Sequence, residues 1–459
     1  MEINLRKFYQ ACNPSKTLSI GNPEDRPYYI DFSGVRGGKI IEELGRTITR
    51  LSPDIPTCQL FTGHIGCGKS TELLRLKSQL EEAEFHVVYF ESSRDLEMAD
   101  VDISDILLAI ARQVTENLAG SGIALSSSYF TKLFKEITEV WQAPIDIDPT
   151  ADLAISIAQI TSQAKESPKL RTQLRQYLEP RTSGILQSIN EDILSAATQE
   201  LQRREKRGLV VIVDNLDRVD NRPLPSGRSQ TEYLFVDRGE QLRKLKCHLV
   251  YTIPLSLMFS HESEALKSRL GAGVAPKVLP MVPVRSRDGQ DFQEGLELLR
   301  QMVLARAFPE LTPSERLDFI TQVFDSAETL DRLCRISGGH VRNLLGLIYR
   351  CLQQEDPPFG RETIETVISE RRNDLVLAIA PTDWELLNQV HETKNVRGEA
   401  AYQHLLRSMF VFEYRDRDSG RWFDINPILA EAQSKKEALS SSFPLPKIPS
   451  RVPKTHDDG

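Results

Sequence analysis

The residues Gly63-His64-Ile65-Gly66-Cys67-Gly68-Lys69-Ser70, followed by Thr71, satisfy the spacing G-x-x-x-x-G-K-[ST]. Each fixed position has a chemical reason to be there. Glycines let successive backbone N–H groups turn inward around a β-phosphate, where a side chain would intrude. A helix beginning at the lysine aims its first N–H groups at the same anion. Lys69 supplies a mobile point charge for the β- and γ-phosphates, and the Ser70 hydroxyl can complete the shell of a Mg²⁺ ion. At ordinary composition a chain of this length meets the pattern by chance roughly once in fifty sequences. The context narrows that further, because an apolar run precedes the loop and a helical stripe follows it. The chemistry expected is binding of ATP, or alternatively GTP, with Mg²⁺.

A second acidic group ends another apolar run. In Val211-Ile-Val-Asp-Asn-Leu-Asp-Arg218, Asp214 stands where a strand would deliver a carboxylate to the metal, opposite Ser70. The residue after it is Asn215, an amide that cannot accept a proton, in a position where many ATPases use a glutamate to activate water. That substitution points to slow hydrolysis. Asp217 is the nearest alternative base, although it could equally pair with Arg218.

These residues require a particular scaffold. Cys58–Thr62 reads as a buried strand entering the loop, and 72–84 as a helix with Leu73, Leu76, Leu80 and Ala83 on one stripe. A strand over 86–90, a helix over 103–118, and β-rich runs at 209–213 and 248–253 continue the rhythm of a parallel sheet covered on both faces. Val278–Val284 suits an edge strand, since Pro280 and Pro283 cannot donate to a central ladder. The fold class expected is α/β: a three-layer core over 30–285, interrupted by a helical insertion over 121–206. An irregular arm (1–29) lies on that core. A helical lid (286–372) follows, then helices and a hairpin read as a winged helix (373–432), with 410–414 and 421–425 as strands around an Arg-Asp-Arg-Asp-Ser-Gly turn. The tail (433–459), rich in Ser, Pro and Lys, reads as disordered.

With Ser337-Gly-Gly-His-Val-Arg342 at a helix start and a strand ending in Thr252-Ile-Pro, the chain resembles AAA+-type ATPases. It looks closest to the signal-transduction (STAND) and origin-recognition-like classes, which share this domain order. The Asp-Asn-Leu-Asp-Arg segment is also similar to the KAP branch of P-loop ATPases. The resemblance implies that Thr252 takes the place of a first sensor of the γ-phosphate and that Arg342 is a lid arginine touching the nucleotide. It further implies that Arg269 serves as a finger offered to a neighbouring subunit in a homo-oligomer, and that Arg36 lines the base pocket.

Composition excludes several other classes. Forty per cent hydrophobic and 27% charged residues are ordinary for globular domains. Six cysteines are scattered without metal-ligand spacing, which suits reduced thiols. The N-terminal residues lack the apolar core of a signal peptide, and no apolar run approaches the roughly 20 residues of a membrane span. A cytoplasmic protein without membrane contact is expected. The net charge of −8 argues against a surface that grips nucleic acid throughout. Over 377–433, six basic residues face nine acidic ones, a poor footprint for phosphates. The reading is therefore a nucleotide-dependent conformational switch in signalling or defence, with a protein partner favoured over DNA. The alternative is a DNA-binding loader or remodeller of the origin-recognition or transposition type that uses the winged helix.

Overall fold

The computed structural model describes residues 2–141, 153–416 and 420–433. Five strands, β1 (Cys58–Gly63), β2 (His86–Glu91), β3 (Leu209–Asp214), β4 (His248–Thr252) and β5 (Lys277–Leu279), form one sheet in the order β2-β3-β4-β1-β5. All neighbouring pairs are parallel. Alternation along the strands divides the core into two layers. Leu209, Val211 and Val213 face the helices Ile103–Gly120 and the insertion, while Val210 and Ile212 face the helices Ile40–Arg46 and Lys69–Glu82. Because every strand runs the same way, all their C-terminal ends open on one edge, where open α/β sheets bind ligands.

The insertion is helical throughout its described residues, from Ser128–Trp141 to Ala196–Arg203. It packs on Ile106, Ile110 and Val114 and adds no strand to the sheet. The edge strand is shorter than expected. It leaves the ladder at Pro280, and Met281 N–H then donates to the Glu413 carbonyl at 2.9 Å.

The helices Gln293–Ala307, Ala327–Ser337 and Val341–Gln354 form the lid. The stretch 313–324, expected as one helix, is two short ones, Pro313–Leu317 and Ile320–Val323. The helix Arg361–Leu377 was not foreseen, and it runs unbroken through residue 372, so the chain shows no break at the expected boundary. After it come Pro381–Thr393, Ala400–Arg407, and the antiparallel hairpin β6 (Val411–Asp416) and β7 (Gly420–Ile425). The hairpin's period of two splits its side chains. Val411, Phe423 and Ile425 join the lid's core, while Phe412, Tyr414 and Trp422 join the core of the sheet. The turn residues 417–419 and the tail after 433 lie outside the described residues.

The N-terminal arm departs from expectation. Leu5–Ala11 is a helix whose N-cap Asn4 accepts from Lys7 N–H. It packs on the lid instead of the sheet domain, with Phe8 fully buried and Tyr9 stacked on Tyr349 at 4.2 Å. Among the described residues, no helix is long and apolar enough to cross a membrane.

Candidate functional site: a phosphate loop under a lid and a hairpin

The loop between β1 and the helix Lys69–Glu82 sits at the open edge of the sheet. Gly66 and Gly68 adopt φ of 86° and 105°, left-handed geometry that suits glycine. A Cβ on Gly66 would meet both Arg342 and His340 at 2.9 Å, so the lid lies directly on the loop there. A Cβ on Gly68 would instead find only Arg36 Nη1, at 3.9 Å. That side of the loop faces a cleft of about 850 Å³, lined by Ile65 through Glu72. The lid contributes Met302, Val341, Arg342 and Leu345 to the cleft, the arm contributes Tyr28 and Tyr29, and the start of the core contributes Phe32.

The Lys69 ammonium is buried and donates to the Gly63 and His64 carbonyls, both at 2.9 Å. It also pairs with Asp217 Oδ2 at 3.0 Å. Burial by itself would lower its pKa, but the charge of Asp217, aided by Cys67 and Asp214, outweighs burial and raises it. Lys69 is therefore a cation held between the loop and the β3 end. Asp217 pairs with this lysine, whereas its sequence neighbour Arg218 is exposed. The other oxygen, Asp217 Oδ1, is buried without a hydrogen-bond partner.

Asp214 is fully buried at the end of β3. Its Oδ2 accepts from the Tyr89 hydroxyl at 2.8 Å, its Oδ1 from the Asn215 N–H at 2.7 Å, and it hydrogen-bonds the Ser70 hydroxyl. Burial raises its pKa and the charge of Asp217 adds to the rise, against the hydrogen bonds from Ser70, Tyr89 and Asn215. Asn215 follows in a left-handed turn (φ 61°) and lines the cleft. Ser70 and Asp214 thus put a hydroxyl and a carboxylate side by side, a donor pair that fits a hard cation such as Mg²⁺.

The other residues singled out in the sequence fall in different places. Arg342 lines the cleft, and its N–H donates to the Gly66 carbonyl at 3.2 Å. Burial lowers its pKa, and the neighbouring charge of Arg218 lowers it further. Arg36 is buried beside the cleft, where Nη2 donates to the Cys67 carbonyl at 3.0 Å and the guanidinium lies over the Phe32 ring. Cys67 is buried, and its thiol donates to the Leu279 carbonyl at 3.6 Å. Ser70 and Thr71 line the cleft.

Thr252 is not on the cleft wall. Its hydroxyl accepts from Leu216 N–H at 2.9 Å and donates to the Val213 carbonyl at 3.3 Å, bracing the turn that carries Asp214 and Asp217. Arg269 also stands away from the cleft, beside Asp237 at 3.5 Å.

Sequence reasoning missed what covers the loop. Glu413 N–H in β6 donates to His64 Nε2 at 2.9 Å. His340 caps the lid helix by accepting from Asn343 N–H at 3.0 Å, and its Nε2 bonds the Ile65 carbonyl at 2.8 Å. Phe412 lies between the two rings, edge-on to His64 at 5.8 Å and stacked with His340 at 5.7 Å. Burial holds both imidazoles neutral. It brings His340 down to about 4 and takes His64 well below its ordinary value, with the charges of His340 and Lys69 contributing to the latter. Hydrogen-bond acceptance at Nε2 leaves the His64 proton on Nδ1. Only the Ser337-Gly-Gly-His segment hinted at this contact, and the hairpin's destination had no local signal.

A phosphate loop between a strand and a helix, an acidic strand end beside it, and a five-stranded parallel sheet define a P-loop NTPase. Residues 38–226 match the KAP family P-loop domain, a span that holds both the loop and the Asp214–Arg218 segment. No curated protein matches the chain. Among solved structures, the Walker-type ATPase PABY2304 of Pyrococcus abyssi is 10% identical, with 92% of this chain and 99% of that one covered and a TM-score of 0.45. The ORC2 protein of Aeropyrum pernix, solved as ADPNP–ADP complexes, is 12% identical over 87% and 94% of the two chains, with a TM-score of 0.39. CDC6P from Pyrobaculum aerophilum is 11% identical over 91% and 98%, with a TM-score of 0.37.

Proposed function

We propose that the chain binds ATP with Mg²⁺, hydrolyses it slowly, and works as a switch whose nucleotide state sets how firmly the lid and hairpin rest on the phosphate loop. One observation carries this reading: the loop that would hold the phosphates also holds both covering units. Its His64, Ile65 and Gly66 bond Glu413, His340 and Arg342 respectively. A ligand shifts a conformational equilibrium only by contacting its states differently. Phosphates on these amides would bear directly on the three contacts.

The base would lie among Tyr28, Phe32, Met302 and Leu345 at the apolar end of the cleft. Lys69, Arg342 and the loop amides would take the phosphates, and Ser70 and Asp214 would hold Mg²⁺. That ion would supply charge neutralisation between the β- and γ-phosphates. Slow turnover is supported by Asn215 in place of an acid and by the ion pair that engages Asp217 with Lys69.

The unit after Leu377 reads as a winged helix that faces protein. Two of its basic residues are committed to its own structure: Lys394 pairs with Asp424 at 2.7 Å, and Arg421 pairs with Glu413 at 2.7 Å. Few cations remain for a DNA backbone. Hydrogen exchange of 64–72, 338–345 and 411–416, followed with ADP and with a non-hydrolysable ATP analogue, tests the switch alongside calorimetric binding and steady-state turnover. Different protection in the two nucleotides is expected. Identical protection despite tight binding of both would overturn it.

A further inference from the structure

A second cleft of about 1010 Å³ lies across the phosphate loop from the first. Its wall includes Gly63, His64 and Ile65 from the loop, and Asp217 and Arg218 from the β3 end. Ile65, Asp217 and Arg218 line both clefts, so they form the partition between them. A nucleotide with its base among the apolar residues of the first cleft and its β-phosphate on the loop amides would point its terminal phosphate at this partition. The far wall comes from the C-terminal unit, as Leu406, Arg407 and Met409.

The charges around the partition are uneven. Lys69 is already neutralised by Asp217. Among the described residues, the side chains of Arg218 and Arg407 make neither an ion pair nor a hydrogen bond. Asp220 and Glu232 attract Arg407 from beyond contact distance. The end of the helix Ala400–Arg407 is fixed by packing, since Tyr402, Leu405 and Leu406 are buried and the helix lies against the Leu255–Phe259 turn that follows β4. The guanidinium is therefore delivered to the cleft by a rigid element, with its donors uncommitted.

Building on the nucleotide reading above, we infer that Arg407 contacts the terminal phosphate in cis and makes this protein prefer a nucleoside triphosphate over a diphosphate. A planar guanidinium suits that role, because its fork matches two phosphate oxygens at once. The C-terminal unit thereby reads the γ-phosphate with its own side chain.

The test compares ADP–Mg²⁺ with the non-hydrolysable analogue AMP-PNP–Mg²⁺ by calorimetry on the full chain, wild type, Arg407→Ala and Arg407→Lys. A charge-assisted contact made only by the terminal phosphate predicts that Arg407→Ala weakens AMP-PNP by roughly ten- to a hundredfold while ADP affinity stays level. Arg407→Lys should recover part of the loss. The AMP-PNP affinity should not change with protein concentration, as contact within one chain demands. Equal weakening of both nucleotides would show a merely structural residue and overturn the inference, as would an unchanged ratio. Wild-type protein that binds neither nucleotide would instead bring down the nucleotide reading, and the inference with it.

Discussion

The docking of the hairpin should depend on pH through one residue, Glu413. Its side chain is 1% exposed, Oε1 accepts from Arg421 Nε at 2.7 Å, and Oε2 has no partner. Burial pushes its pKa from 4.5 up to about 7, against the pull of Arg421 and Arg415. The folded protein therefore keeps a proton that the unfolded chain releases. Stability from this group is fully present below about pH 4.5 and is lost as pH rises through about 7, at roughly 1.4 kcal/mol per unit. Between about pH 5 and about pH 8 the loss integrates to about 2–3 kcal/mol. Glu413→Gln removes the titration and leaves an oxygen for Arg421. Urea unfolding of both proteins, followed by tryptophan fluorescence across this range, isolates the term as the difference between two curves, because other titrations cancel. Trp384 and Trp422 both lie in the C-terminal unit that the hairpin anchors. The variant should gain on the wild type as pH rises, by about 2–3 kcal/mol over the range. Two parallel curves would refute the reasoning.

Three further outcomes are expected. Lys69→Ala should lower ATP affinity by at least about 1.5–3 kcal/mol in calorimetry, since it removes a charge-assisted contact and leaves Asp217 buried without its partner; undiminished binding would contradict the site. His340→Ala removes a helix cap worth about 1 kcal/mol and a buried bond to Ile65 worth about 1–3 kcal/mol. Amide exchange over 66–72 and 341–346 should quicken together, and a change confined to the lid would disprove the bridge. Burial pushes the thiols of Cys12 and Cys351 up to about 12, so a thiol reagent at about pH 8 should modify them slowly in the native protein and rapidly in urea. A fast native phase at either of these two would count against their burial.

The parts that the sequence made legible are those whose signal is local. Strands β1 to β4 announce themselves as apolar runs, and the loop's glycines and lysine sit within a few residues of one another. The edge strand is shorter because Met281 and Val282 donate to the hairpin and the lid, and Pro280 and Pro283 carry no N–H at all. The arm's helix rests on Phe8 and Cys12 in a stretch otherwise full of turn residues, so periodicity had too few turns to register. The sensor assignment of Thr252 rested on order along the chain, whereas its hydroxyl is committed to the backbone of β3 and the turn after it. The bond from Glu413 to His64 spans 349 residues, and neither end carries a pattern that names the other.

The alternation in β6 and β7 bears on how this molecule is assembled as it is made. The recognisable nucleotide segment stops at residue 226, before two strands of its own sheet and long before the aromatic side chains that roof it. A chain cut at residue 285 would remove Phe412, Tyr414 and Trp422 from the cluster they share with Phe61, Leu279 and Met281, and would leave the His64 imidazole nitrogen without its donor. During synthesis the earliest chemical motif must wait for some of the last residues to emerge before its surroundings are complete. The piece that completes the surroundings of the phosphate loop is therefore much larger than the span that matches the family model.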